Sequence, residues 1–226
     1  MTLRSRIIVQ CLGVFVAMSV LLFIPAGTVH FWQAWVFMGI TFVPMIIFTA
    51  YYYKKDPVFV ERRMQKREKI AQQRWIMRAA SVLTVLSLVV PGLDYRIGWT
   101  RELFGGVPTW VQIAAQVVTL VSYSEALVVM DANRYASRTI QVEEHQPVIS
   151  NGPYAVVRHP MYAFVSVMWL AVGPALGSYI TVPLSVLFIP LLVLRLLNEE
   201  AVLRRDLHGY IEYCEGTRYR LVPYIW

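Results

Sequence analysis

Side chains capable of chemistry concentrate in two stretches of this 226-residue chain. The first, DANRYASRTIQVEEHQPVISNGPYAVVRHPMY, runs from Asp131 to Tyr162 and sets His, Arg, Glu, Tyr and Asn among glycine and proline. At about thirty residues it is longer than a connection requires, and long loops in compact proteins are often functional. Within it Gly152-Pro153-Tyr154 reads as a turn. Arg158-His159-Pro160-Met161-Tyr162 reads as a loop entering a helix, with Pro160 at the first helical position. The free N–H groups and positive dipole end of such a helix start, beside an Arg and a His, suit an anionic group. A purely structural reading stays open, with Arg158 on lipid phosphate and His159 as a cap.

The second stretch, LLVLRLLNEEAVLRRDLHGY, ends at Tyr210 and places Arg195 and Glu199 four apart on one helix face. An arginine after a long apolar run is costly unless it is paired, snorkels or lines a cavity. An interfacial ion pair with Glu199 and a cavity-lining role are both consistent with the spacing. Glu200 and Arg204 form a second pair in favourable order, expected to be structural. Farther upstream, Gln112, Gln116, Tyr123 and Glu125 either line a polar cavity or bond between helices. The chain has no G-x-G-x-x-G after a strand, no Walker loop, no H-E-x-x-H and no G-x-S-x-G, so soluble-type nucleotide binding is excluded. Its two cysteines, Cys11 and Cys214, form no metal-ligand spacing, and no metal is expected.

The elements that must position these residues are membrane helices. Hydrophobic residues make up 57% of the chain and charged ones 15%, against roughly 25% charged in soluble domains. The mean hydropathy is +0.51. Six apolar stretches, 7–26, 31–53, 75–93, 107–130, 161–176 and 179–197, approach the ~20 residues needed to span a bilayer. The predicted fold is therefore all-α: a polytopic transmembrane bundle of about six spans, the first retained rather than cleaved. The fifth is short or tilted because of Gly173-Pro174, and a tight Gly177-Ser178 turn joins it to the sixth as a hairpin. Residues 1–130 are expected to hold four spans with a cytoplasmic amphipathic segment at 54–74, and 131–226 a catalytic region of loop, hairpin and C-terminal tail.

With both termini in the cytoplasm, Arg4, Arg6, the basic residues of 54–78, Arg134, Arg138, Arg158 and those of 195–220 share one side. Only Arg96 and Arg101 fall outside, as the positive-inside rule asks. The net charge of +7 then reflects orientation and contact with anionic membrane lipids rather than nucleic acid. The membrane would be the plasma membrane, or the inner membrane of a bacterium.

The order G-P-Y-x-x-x-R-H-P-M-Y, a long apolar hairpin, N-E-E, Y-x-E-Y and R-Y-R-L-x-P, over about 141–223, resembles the isoprenylcysteine carboxyl methyltransferase family. More distantly it is similar to the phosphatidylethanolamine N-methyltransferases. The resemblance implies a site for S-adenosyl-L-methionine, with S-adenosyl-L-homocysteine as product, between the RHP loop and the last long helix. A lipid-like or prenylated acceptor would enter from the bilayer. Carried over by position, Gln141, Gln146, Pro147, Val148, Ile149, Tyr154, His159, Pro160, Met161, Tyr162 and Glu199 would hold the cofactor. Arg195, which falls where the family places a residue facing the acceptor, is expected with Arg158 to be catalytic. Carboxylate O-methylation is the favoured reaction. Two other readings stand beside it. The Y-x-E-Y-C and RYRLVPYIW segments also look like the ends of NADPH-dependent sterol reductases, and a non-catalytic lipid-binding protein would keep the same fold.

Overall fold

The computed structural model describes residues 2–64, 71–133, 135, 142 and 146–226, and among them the chain is helical throughout, without strands. The helices are α1 (Leu3–Ala26), α2 (Trp32–Lys55), α3 (Pro57–Arg63), α4 (Ala71–Ile97), α5 (Trp99–Phe104), α6 (Thr109–Ala132), α7 (Pro160–Ala175), α8 (Val182–Asp206) and α9 (Tyr210–Gly216), with a 3₁₀ turn at Gly152–Ala155. Four of them, Leu3–Ala26, Trp32–Lys55, Gln73–Ile97 and Thr109–Ala132, are long and apolar enough to cross a membrane. The outer faces of the first two remain apolar where no described residue covers them, at Val9, Leu12, Val16, Ile24, Val43 and Ile47. Such a surface needs lipid rather than water, which marks an integral membrane protein.

The fifth and sixth apolar stretches differ from these four. α7 has 16 residues and rises about 24 Å, short of a ~30 Å hydrocarbon layer. It ends where the N–H of Ser178 bonds Gly173 O at 2.9 Å and Gly177 N–H bonds Pro174 O at 3.0 Å. Gly177 takes φ +74° in that turn, a conformation in which a side chain would be strained. α8 is longer, but its apolar run is interrupted at Arg195.

α6 packs along α7, α4 along both α1 and α8, and α2 along α6. The α1–α4 approach depends on Gly92, where a Cβ would lie 2.6 Å from Leu22 O. At the end of the bundle away from the RHP loop, polar side chains bond between elements. Gln33 Nε2 donates to Gln112 Oε1 (2.9 Å), Gln112 Nε2 to Val107 O (2.7 Å), and Gln116 Nε2 to Ala175 O (3.1 Å). Of the two readings of Gln112 and Gln116, interhelical bonding is the one the geometry satisfies. Buried Asp94 accepts from Thr100 N–H at 2.7 Å, from the Thr100 hydroxyl, and from Ser178 Oγ at 2.5 Å. This fixes the α7–α8 turn to the α4–α5 corner.

At the opposite end, Phe59 and Val60 of α3 bury against Tyr52 and Phe48. The Tyr52 hydroxyl donates to Asp131, and Arg6 bonds Glu61. The expected amphipathic segment at 54–74 is represented by α3 and the first turn of α4, with 65–70 outside the described residues.

Candidate functional site

The site is built where the RHP loop, the end of α8 and the C-terminal segment meet. Arg158 N–H bonds Tyr219 O and His159 N–H bonds Arg220 O, both at 2.9 Å, so the R-H and Y-R dipeptides lie backbone to backbone. The side chains reinforce this. Glu200, 3% exposed, sits between Arg158 Nη1 (Oε1, 2.9 Å) and Arg220 Nε (Oε2, 2.8 Å). The expected Glu200–Arg204 pairing is thereby overturned. Glu200 points inward to two partners remote in sequence, and Arg204 is exposed. Tyr213 adds a third tie, its hydroxyl donating to Tyr154 O at 2.6 Å, so Y-x-E-Y holds G-P-Y in place.

One helical position before Glu200, the chemistry changes. Tyr162 donates its hydroxyl to Glu199 Oε2 at 2.6 Å and accepts from Arg195 Nε at 3.0 Å. The Arg195–Glu199 spacing read from the sequence is thus realised through a third residue on α7. Arg195 Nη1 also lies 2.9 Å from Met77 Sδ.

A cavity of about 70 Å³ opens beside Glu199. Gln146, Pro147, Val148 and Ile149 form one wall; Tyr154, Arg158, His159, Met161 and Tyr162 form another; Glu199 lies on the α8 side. Pro160 is buried behind this lining as the first residue of α7. Gln141 lies outside the described residues. Sequence reasoning did not single out Asn133, Tyr135, Val202, Leu203, Leu207, Tyr210 and Tyr213, which complete the lining. Val202 and Leu203 follow Glu199 by three and four residues, so helical periodicity was the available signal. Tyr210 and Tyr213 were visible only as a motif. Their reach to the cavity depends on the bend at Gly209, φ +83°.

A second cavity, about 580 Å³, lies between α4, α7 and α8. Ile76, Ala80, Val85, Val165, Phe188 and Leu192 give it apolar sides, and Arg195, Tyr162 and Arg63 are among its charged and hydroxyl-bearing lining. Met161 and Tyr162 belong to both cavities and form the wall between them. Arg195 therefore faces the apolar groove, while Glu199, one turn on, faces the smaller cavity. Arg158 borders the smaller cavity, but its guanidinium is committed to Glu200, which gives it a positioning geometry.

Burial, then the neighbouring Arg158 and Arg220 cations, push the His159 imidazole down to about 3, so it is neutral at ordinary pH. Its Nε2 is buried with no hydrogen-bond partner among the described residues, as are Arg158 Nε and the Tyr210 hydroxyl. Buried orphan polar atoms at a cavity are unusual and call for a ligand or water. Burial raises the Tyr154 phenol to about 12 and pushes Tyr210 and Tyr213 up as well, keeping all three neutral. No group of three or more metal-ligating side chains is present among the described residues.

The class defined by this fold and site is a helical integral membrane protein with a polar end-cavity walled off from an apolar lateral groove. Residues 113–205 match the model of the isoprenylcysteine carboxyl methyltransferase (ICMT) family. The match spans most of α6, the 146–149 wall, α7 and nearly all of α8, including Arg158, His159, Arg195 and Glu199. The Y-x-E-Y and R-Y-R-L-x-P segments lie beyond it. No curated protein matches the chain.

Two outcomes follow from the electrostatics. Glu200→Gln removes the charge that balances Arg158 and Arg220, and breaking a buried ionic triad in this way typically costs about 3–5 kcal/mol. The measurement is the thermal midpoint in detergent, expected to fall well below wild type, whereas exposed Arg204→Gln is expected to leave it unchanged. For His159, the folded value near 3 lies below the ordinary 6.5. The unfolded chain therefore takes up a proton that the folded chain does not as pH falls below 6.5, and stability declines down to the folded value. Between pH 6.5 and about 5, above carboxylate titration, the wild-type thermal midpoint should drop more steeply than that of His159→Gln. Parallel profiles would show that His159 is not buried neutral.

Proposed function

We propose that this protein is an S-adenosyl-L-methionine-dependent methyltransferase of the membrane, acting on the carboxylate of a lipid-like or isoprenyl-bearing acceptor, with the site and both termini on the cytoplasmic side. The observation that carries this reading is the shared wall. One cavity has the polar fittings for a charged nucleoside, the other has the length and apolarity for a lipid tail, and Met161 and Tyr162 line both.

The residues fit the cofactor on the chemistry of the donor set. The Glu199 carboxylate suits its cationic amino or sulfonium end. The unpartnered His159 Nε2 and the N-terminus of α7 suit its carboxylate. Tyr154, Tyr210 and Tyr213 offer neutral aromatic faces for adenine. At about 70 Å³ the cavity is smaller than the ~300–1,000 Å³ usual for ligand sites, so the site would have to widen to take the cofactor. When bound, the cofactor supplies a methyl group on a positively charged sulfur, which an acceptor oxygen displaces while the C–S electron pair stays on sulfur.

The protein's part is alignment and exclusion of water, the main levers in a displacement of this kind. Tyr162 fixes both charged partners, with Glu199 on the cofactor side and Arg195 on the acceptor side. A carboxylate acceptor needs no base. An amine acceptor would have to lose a proton, and a general base works best with a pKa near the operating pH. His159 near 3 and Tyr154 near 12 are both far from it, which favours the carboxylate.

The test is incubation of membranes containing the protein with methyl-labelled S-adenosylmethionine and an isoprenyl thioether carboxylic acid. Base-labile label in the lipid is expected. Glu199→Ala is expected to lose S-adenosylhomocysteine binding by calorimetry, and Arg195→Gln to keep it while losing at least about tenfold in kcat/KM. Base-stable label would move the acceptor to nitrogen or carbon. Normal binding in both Glu199→Ala and His159→Ala would sink the cofactor site.

A further inference from the structure

Two side-chain stripes run to the RHP-loop end of the bundle and finish in cations. On α1, Arg4, Ile8 and Leu12 recur every fourth residue, and on α2 Ile46 and Ala50 lead by the same step to Lys54, so each set shares one helix face. The two helices touch in their other halves, through Phe23 on Trp35 (4.7 Å between ring centroids) and Phe15 on Phe42 (5.3 Å). Pro44 follows inside α2. From there toward the RHP-loop end a cleft of about 330 Å³ lies between the two helices, lined by residues of both. Ile8, Leu12, Ile46 and Ala50 belong to that lining, and Arg4, in the first turn of α1, and Tyr53, in the last turn of α2, line its end.

Ile8, Leu12 and Ile46 are 47%, 58% and 53% exposed, so the cleft opens onto the apolar outer surface of the bundle. With 24 residues, α1 rises about 36 Å, more than a ~30 Å hydrocarbon layer. Its first turn therefore reaches the headgroup layer while Ile8 and Leu12 face acyl chains. Water in an apolar cleft at that depth finds no polar partners, which leaves a hydrocarbon chain to fill it. Arg4 is exposed and, among the described residues, has neither an ion pair nor a hydrogen bond. A neighbouring cleft of about 550 Å³ on another face of α1 differs, because its arginine, Arg6, is bonded to Glu61. A guanidinium at headgroup level above an apolar cleft matches a phospholipid of net negative charge: the phosphate takes charge-assisted bonds from Arg4, and the Tyr53 hydroxyl adds a neutral donor. A zwitterionic lipid brings its own cation, which offsets part of that gain.

We propose that the α1–α2 cleft is a binding site for an anionic phospholipid, with one acyl chain between Ile8, Leu12, Ile46 and Ala50 and the phosphate on Arg4. The lipid completes the packing between the two helices on the side of Pro44 where their aromatic contacts have ended. The site stands apart from the methyl-transfer reading, since none of its residues lines the cavity beside Glu199 or the α4–α7–α8 groove.

The experiment is native mass spectrometry of the purified protein, equilibrated in detergent with equimolar dioleoyl phosphatidylglycerol and dioleoyl phosphatidylcholine. Wild type is expected to retain the anionic lipid about fivefold over the zwitterionic one, the factor that one surface arginine is worth, and the ratio should narrow as salt is raised. Arg4→Gln should lose most of that factor while retaining phosphatidylcholine at the wild-type level. Ala50→Trp, which fills the cleft from the α2 side, should reduce retention of both lipids. Exposed Arg204→Gln should leave the ratio unchanged. A wild-type ratio near one, or a ratio that survives Arg4→Gln, would overturn the proposal. So would an Arg204→Gln effect equal to that of Arg4→Gln, or unchanged retention in Ala50→Trp, which would mark the lipid as annular only. Should Ala50→Trp fail to insert, Leu12→Trp from the α1 side carries the same comparison.

Discussion

Glu200 is a carboxylate removed from water and placed between two guanidinium groups. Taking one such charge out of solvent costs several kcal/mol, and only close, hydrogen-bonded counter-charges offset it. The partners come from opposite sides of the hairpin: Arg158 precedes α7, Arg220 follows α9, and Glu200 is on α8. Their mutual neutralisation draws the loop and the C-terminal segment onto the same helix end, and the backbone bonds from Arg158 to Tyr219 and from His159 to Arg220 then fix the register. The placement of His159, the direction of α7 and the position of Tyr154 under Tyr213 all depend on that knot.

From it, a division of labour follows along fewer than two turns of α8. Residues 195, 199 and 200 share a helix, yet they face three environments: an apolar groove, a polar cavity and a buried ionic core. Tyr162 lets the first two communicate, because one hydroxyl can donate to a carboxylate and accept from a guanidinium at once. Among the described residues, the far end of the bundle repeats the pattern with hydrogen bonds in place of ionic pairs. Asp94 and the Gln33–Gln112–Val107 chain hold the corner and the hairpin turn.

Much of this was legible in the sequence, for identifiable reasons. The apolar runs announced helices because hydropathy and length follow local composition, and the Gly173-Pro174 and Gly177-Ser178 dipeptides announced the short fifth element and its turn. Arg195 and Glu199 were found because helical spacing is local. The partners of Glu200 were not. Arg204 satisfied the i, i+4 rule, but a carboxylate facing inward is governed by what the fold brings to it, here from Arg158 and Arg220. Tyr162 as intermediary, Tyr210 and Tyr213 as lining, and Arg63 at the groove likewise depend on contacts between distant segments. Gln112 and Gln116 had two readings at the sequence level, and only the position of Gln33 and Ala175 distinguishes them.

The central claim is that Met161 and Tyr162 separate a cofactor cavity from an acceptor groove. Its most direct test is an experimental structure of the protein with S-adenosylhomocysteine bound. The account predicts the ligand between the 146–149 wall and Glu199, with its sulfur turned toward Met161 and Tyr162 and the groove beyond them. A ligand lying in the α4–α7–α8 groove itself, or with its sulfur facing away from that wall, would contradict it.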